Sequence, residues 1–219
     1  MTPLEAARCA KIAYLANGEM EAQRLGFSYR SITNKSAVCW VGHKGSKTVV
    51  AIRGTLRTRG RFANLDVSLQ SDLVPWMGPG RVHEGYHKSM WHVFRDLKKE
   101  IEGRETVYFT GHSMGAAIAV LAGSLLPSTR IFCFASPRVG DQEFAENIGK
   151  RLRITRYENR GDFLTKYPLK GVIKGPDRTQ KGRYVHVGRT VRLASFGHSL
   201  NTYLEGLKMR TRGGDAPFF

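Results

Sequence analysis

Ser113 sits in Gly111-His112-Ser113-Met114-Gly115, with Asp162 49 residues further on and His198 another 36 beyond it. Those three residue types are the parts of an activated nucleophile. A serine hydroxyl attacks an acyl carbonyl at neutral pH only when an imidazole takes its proton and a carboxylate holds that imidazole in the right tautomer. A bare Gly-x-Ser-x-Gly arises by chance in roughly one chain of this length in ten or twenty, so the flanks carry the argument. Before it, Thr106-Val107-Tyr108-Phe109-Thr110 reads as a short strand; after it, Ala116-Ala117-Ile118-Ala119-Val120-Leu121 reads as a small-residue helix. A serine on such a strand-to-helix turn is lifted above the sheet edge, and glycines on both sides remove the Cβ atoms that would collide there.

Asp162 follows a strand-like run in Glu158-Asn159-Arg160-Gly161-Asp162, and His198 opens the last helix in Phe196-Gly197-His198. Both stand at element ends, where loops converge. His186, in Tyr184-Val185-His186-Val187-Gly188, is a second candidate base on residues alone, although a strand histidine also suits a core or surface role. His112 should point away from its neighbour Ser113, and surface roles are expected of His43, His83, His87 and His92, which precede the serine and fit no ordered triad. Asp141 reads as a helix cap and Asp177 as part of a turn. An acyl-transfer site also needs donors for the oxyanion. The Met114 N–H, directly after the nucleophile, is one; Thr55, after the strand in Ala51-Ile52-Arg53-Gly54-Thr55, offers an N–H and a hydroxyl for the other.

These residues need a scaffold, and the hydrophobic periodicity supplies its outline. Thr2 before Pro3 caps an amphipathic helix running to about Leu25. Phe27–Ser31, Ala37–Val41 and Lys47–Ile52 read as hairpin-connected strands. Residues 54–80 have little periodicity and are expected to form a lid-like surface excursion. Tyr86, Met90, Val93, Phe94, Leu97 and Ile101 then form an apolar stripe of helical period that stops at Gly103. Beyond it strands and helices alternate: strand 106–110, helix 113–126, strand 130–135, helix 141–150, strand 153–158, a hairpin-like pair near 183–193, and helix 198–208. Alternation of this kind implies a mostly parallel sheet covered on both faces. The fold class is therefore α/β with an antiparallel N-terminal part, and sites in such sheets lie beyond the carboxyl ends of the strands.

The chain has 219 residues, enough for one domain with a substantial core, and 1–219 is read as a single unit. It lacks a run of about 18 apolar residues to cross a bilayer and its first eighteen residues lack the make-up of a signal peptide, so a soluble, cytoplasmic chain is expected. Cys9, Cys39 and Cys133 suggest neither a disulfide framework nor a metal site, and no cofactor is implied. Cys133, in an apolar run, reads as a core thiol. Net charge is +17, and residues 150–192 hold thirteen basic and three acidic side chains. Such a field attracts acidic phospholipid surfaces and, without sequence preference, nucleic acid. Oligomeric state is not legible.

The motifs add up to a resemblance. Val50-Ala51-Ile52-Arg53-Gly54-Thr55, Val82-His83-Glu84-Gly85-Tyr86, Gly111-His112-Ser113-Met114-Gly115-Ala116, Phe134-Ala135-Ser136-Pro137-Arg138-Val139-Gly140-Asp141, Asn159-Arg160-Gly161-Asp162, Tyr184-Val185-His186-Val187-Gly188 and His198-Ser199-Leu200-Asn201-Thr202-Tyr203 resemble, in that order, the motifs of class 3 lipases. The family comprises fungal triacylglycerol lipases and plant phospholipase A-like enzymes of the α/β-hydrolase fold. The resemblance implies a lipid or other acyl-ester substrate, with Ser113 as nucleophile, Asp162 as acid, His198 as base, Thr55 and the Met114 N–H as oxyanion hole, and His186 outside the triad. It also aligns Leu56–Asp66 with the family's lid. Arg57, Arg59 and Arg61 there suit anionic headgroups better than neutral oil. The other readings are a short-chain soluble esterase and a catalytically idle basic binding module.

Overall fold

Alternate residues of the central strands face different layers of helices, and that is why these strands are apolar throughout. Val50, Ile52, Ile131 and Cys133 enter one buried cluster, whereas Val49, Ala51, Phe132 and Phe134 enter clusters on the opposite face. The computed structural model describes residues 1–35, 37–55, 57–58, 61–62, 72–168, 173–174 and 181–212. Its helices are α1 (Pro3–Ile12), α2 (Gly18–Arg24), α3 (Glu84–Glu100), α4 (Met114–Leu125), α5 (Gln142–Arg151) and α6 (Leu200–Arg212). The strands of three or more residues are β1 (Arg30–Asn34), β2 (Ala37–Lys44), β3 (Lys47–Ile52), β4 (Leu73–Pro75), β5 (Arg81–His83), β6 (Thr106–His112), β7 (Arg130–Phe134), β8 (Ile154–Arg160) and β9 (Arg189–Phe196).

Seven strands form the main sheet in the order β1-β2-β3-β6-β7-β8-β9. The first three are antiparallel; from β3 onward every pairing is parallel. Helices α3, α4 and α5 cover one face, and α1 and α6 cover the other. Helix α4 is apolar on all sides and buried along almost its whole length, as a helix wedged between a sheet and another helix must be. Thr2 caps α1 by accepting from the Glu5 N–H at 3.1 Å, and Asp141 caps α5 by accepting from Phe144 N–H at 2.9 Å.

Several local expectations change. The helix expected to reach Leu25 breaks after Ile12 and restarts at Gly18, a break that turns Tyr14 inward. The first strand starts at Arg30 rather than Phe27. The last part of the expected surface excursion is anchored at two points: β4 and β5 pair antiparallel, and Leu73 and Trp76 are buried, Trp76 edge-on to Phe144 at 5.7 Å, while Asp72, Pro75, Met77, Gly78 and Pro79 stay exposed. Most of the rest of the lid-like segment, with Arg57, Arg59 and Arg61, has no described side chains; residues 63–71, Asp177 and the tail from 213 lie outside the described residues. There is no hairpin at 183–193. Val185 makes a single bridge to Gly140, and Arg189–Phe196 joins β8 in parallel at the sheet edge. Cys133 is a fully buried free thiol, its pKa pushed up by burial to about 12.

Candidate active site

Ser113 ends β6 and opens α4 with φ +57° and ψ −131°, a region that costs a side-chain-bearing residue about 1–3 kcal/mol. The turn is possible only because of what flanks it. A Cβ on Gly115 would lie 2.3 Å from the Ile52 carbonyl oxygen, and one on Gly111 would lie 2.3 Å from the carbonyl oxygen of Gly115. Both obstacles are backbone and cannot swing aside. Serine is a favoured helix cap, yet Ser113 makes no side-chain capping bond to α4. Its Oγ instead lies 3.0 Å from His198 Nε2.

His198 Nδ1 lies 3.0 Å from both oxygens of Asp162. The Asp162 side chain is wholly buried. Burial opposes its charge, but hydrogen bonds from His198, from the Tyr203 hydroxyl at 2.6 Å and from the Leu164 N–H at 3.2 Å outweigh that and hold the carboxyl below its ordinary range. An ionised Asp162 accepts from Nδ1–H, so the Nε2 lone pair of His198 faces the serine hydroxyl. The three residues, from the ends of β6, β8 and β9, therefore form one hydrogen-bonded line.

Around this line lies a layer absent from the sequence reading. Tyr203 accepts from the Asn159 N–H at 3.2 Å while donating to Asp162. The Asn159 amide donates to the Gly197 carbonyl at 2.9 Å and Thr202 Oγ1 at 3.0 Å, and accepts from Ser195 at 2.6 Å, tying the His198 loop to β8. In the sequence Tyr203 stands five residues after His198 and Asn159 three before Asp162, and that closeness is the signal that marks them. His112 does not simply turn away: its Nε2 lies 2.8 Å from the His198 carbonyl oxygen and its Nδ1 2.9 Å from the Tyr14 hydroxyl. Burial, then the neighbouring charge of His198, pushes the His112 pKa down to about 3, so the ring is neutral.

Thr55 Oγ1 lies 3.7 Å from Met114 Sδ, which brings the two expected oxyanion residues together beside the serine. His186 is elsewhere, with Nε2 3.9 Å from Glu158. His83 is a correction: it is fully buried, stacks on Tyr86 at 3.8 Å and caps α3 through Nδ1, accepting from Gly85 N–H at 3.1 Å. A histidine at a helix entry is drawn inside when its ring can satisfy the first helical N–H groups.

A serine on a strained strand-to-helix turn, over a mostly parallel sheet and facing a histidine from the loop after the edge strand, is the layout of the α/β-hydrolases. The profile described as Lipase (class 3) matches residues 49–172, more than half of the sequence, and the chain belongs to the class 3 lipase family. The secreted mono- and diacylglycerol lipase A of Penicillium cyclopium is 32% identical over 155 residues, 65% of this chain and 50% of that protein. Phospholipase A1-IIbeta of Arabidopsis thaliana is 24% identical over 247 residues, covering 91% and 58%. The lipase of Rhizopus microsporus var. chinensis superposes with a TM-score of 0.69 at 20% identity, over 87% of this chain and 72% of that one, and shares the fold. The chain thus spans half to three-fifths of the length of these sequence relatives. The fungal relative is secreted by name, which lends no support to a cytoplasmic assignment. No helix among the described residues is long and apolar enough to cross a membrane.

Proposed function

We propose that the chain hydrolyses carboxylic esters of lipids, at an anionic interface, with Ser113 as nucleophile. His198 Nε2 takes the Ser113 proton as Oγ bonds to the acyl carbon, and Asp162 stabilises the imidazolium so formed. The carbonyl oxygen, now negative, is held by the Met114 N–H and by Thr55, at the positive end of α4. His198 returns the proton to the departing alcohol as the C–O bond breaks. Water, deprotonated by the same imidazole, then attacks the acyl carbon; the bond to Ser113 Oγ breaks, His198 returns the proton to Oγ, and the fatty acid leaves. In this reading residues 1–219 act as one α/β-hydrolase unit and residues 54–80 hold the lid.

The observation that carries the proposal is the contact of Ser113 Oγ with His198 Nε2 at 3.0 Å, itself anchored by Asp162. The names of the relatives add the substrate class, acylglycerols in one case and phospholipids in the other. The charge of +17 favours an acidic surface. A fluorophosphonate probe should label the protein and not Ser113→Ala; no labelling of either makes it an idle scaffold. Nitrophenyl esters of graded length should be cleaved best with long acyl chains, and a maximum at acetate or butyrate would make it a short-chain esterase.

A further inference from the structure

Two phenylalanines bracket the acid and the base, and both project into solvent: Phe163, directly after Asp162, is 74% exposed and Phe196, two residues before His198, is 72% exposed. Neither position is loose. The Phe196 ring lies so close over Gly161 that a Cβ there would fall 2.2 Å from it. Phe163 opens a 3₁₀ turn (Phe163–Lys166) whose start is capped by Asp162 and whose end is gripped by the buried Arg138 guanidinium through the Lys166 carbonyl. Two phenyl rings held in place at one end of the sheet thus keep most of their apolar area in water, as interaction surfaces do.

Beside the pair is a cavity of about 570 Å³ whose lining includes Phe163, Arg160, Lys166, Arg192, Glu158 and Asp162. The two carboxylates are already engaged, Glu158 by Arg156 and Asp162 by His198. Among the described residues Arg160, Lys166 and Arg192 make no ion pair. Three unpaired cations lining a hollow next to two exposed phenyl rings form a mixed surface. Charge on an edge strand is explained by protection against strand pairing, but that explanation leaves the rings without a use.

We infer that this face, Phe163 and Phe196 with Arg160, Lys166 and Arg192, docks the protein on an anionic phospholipid bilayer, the rings entering the headgroup layer and the cations meeting lipid phosphates. The rings bury apolar area in the headgroup layer while the guanidinium and ammonium groups pair with phosphate. Docking through residues that adjoin Asp162 and His198 sets the membrane against the catalytic end of the sheet. This deepens the proposed function by locating its interface, and binding is read without hydrolysis so that each fails separately.

The test is sedimentation of Ser113→Ala protein with phosphatidylcholine vesicles, with and without one-third phosphatidylglycerol, in low salt. Partitioning should require phosphatidylglycerol. Arg160→Gln, Lys166→Gln and Arg192→Gln together should weaken it about a hundredfold, at roughly fivefold per cation. Phe163→Ser with Phe196→Ser should weaken it about tenfold, in a manner insensitive to salt. A control with the same charge change on exposed α3, Arg95→Gln with Lys98→Gln and Lys99→Gln, should change it less than threefold. Each set made on the wild-type serine should retain turnover of a soluble nitrophenyl ester, which certifies folding. Equal loss in the α3 control, equal binding to neutral vesicles, or competition by heparin that the three-cation variant leaves unchanged would overturn the inference.

Discussion

The Tyr14 hydroxyl stands 2.9 Å from Nδ1 of His112, 98 residues away in sequence, and accepts the Gly54 N–H at the same distance. Burial pushes the phenol pKa up, so its proton stays on oxygen and goes to His112. His112 must then carry its own proton on Nε2, where it donates to the His198 carbonyl. One relay therefore joins the backbone beside Thr55 to the loop that holds His198. Tyr14→Phe leaves two polar groups without this partner, a loss of about 1–3 kcal/mol. On a soluble ester it should lower kcat about tenfold with little change in KM; urea unfolding and steady-state kinetics read the two effects.

His112 also has a consequence for stability in acid. Its folded pKa lies below the unfolded value, so the unfolded chain binds the extra proton, and stability is whole above about pH 6.5 and declines as pH falls towards 3. In His112→Gln the slope of unfolding free energy against pH should flatten by roughly 1 kcal/mol per pH unit between 6 and 4. His43, His87 and His92 are unchanged in both proteins, so the difference isolates His112.

Tyr203 holds Asp162 in its charged form. Asp162 has a depressed folded pKa, so its contribution to stability is present above the unfolded value near 4 and is lost as pH falls through the folded one. Removing the 2.6 Å donor in Tyr203→Phe raises the folded value and shrinks that contribution. The acid-unfolding midpoint, followed by circular dichroism, should move to higher pH, and kcat should drop about tenfold. Asp162→Asn should lose about four orders of magnitude in kcat through the wrong tautomer of His198.

In the proposed mechanism Thr55 and Met114 hold the oxyanion, and two variants separate the side-chain contribution from the backbone one. Thr55→Val keeps shape and removes the hydroxyl, and should cost 10²- to 10³-fold in kcat. Met114→Leu keeps the N–H and most of the packing, and should stay within about threefold of wild type. Pre-steady-state acylation rates with a nitrophenyl ester measure both.

Gly115→Ala tests the closeness of α4 to β3. With the new methyl 2.3 Å from the Ile52 carbonyl, the helix must move off the sheet. A destabilisation above about 3 kcal/mol is expected, read as the shift in denaturation midpoint, whereas Gly149→Ala, with open space around it, should be neutral or slightly stabilising.

Strand 47–52, the helix from the Tyr86 stripe, the turn at Ser113 and the alternating units after it, apart from the pair near 183–193, were legible because their signals are local. Burial on both faces leaves a continuous apolar run, and a strained turn demands glycines a fixed two residues away. The break in the N-terminal helix and the burial of Trp76 were not legible, since each depends on a partner elsewhere: Gly54 and His112 for Tyr14, Phe144 for Trp76.

Sequence alone determined which side chains were chemically competent, their order as Ser113, Asp162 and His198, and the alternation of strands and helices that sets them at one end of a sheet. Those are properties of neighbours along the chain, settled by backbone sterics and hydrophobic period. Only the tertiary structure decided that Tyr203 and Tyr14 attend that line, that His83 lies inside, that β9 runs parallel at the edge, and that two phenylalanines stand exposed beside cations that make no ion pair among the described residues. Contact between distant residues follows from strand register and helix packing, and a single residue of register shift reverses which face a side chain occupies.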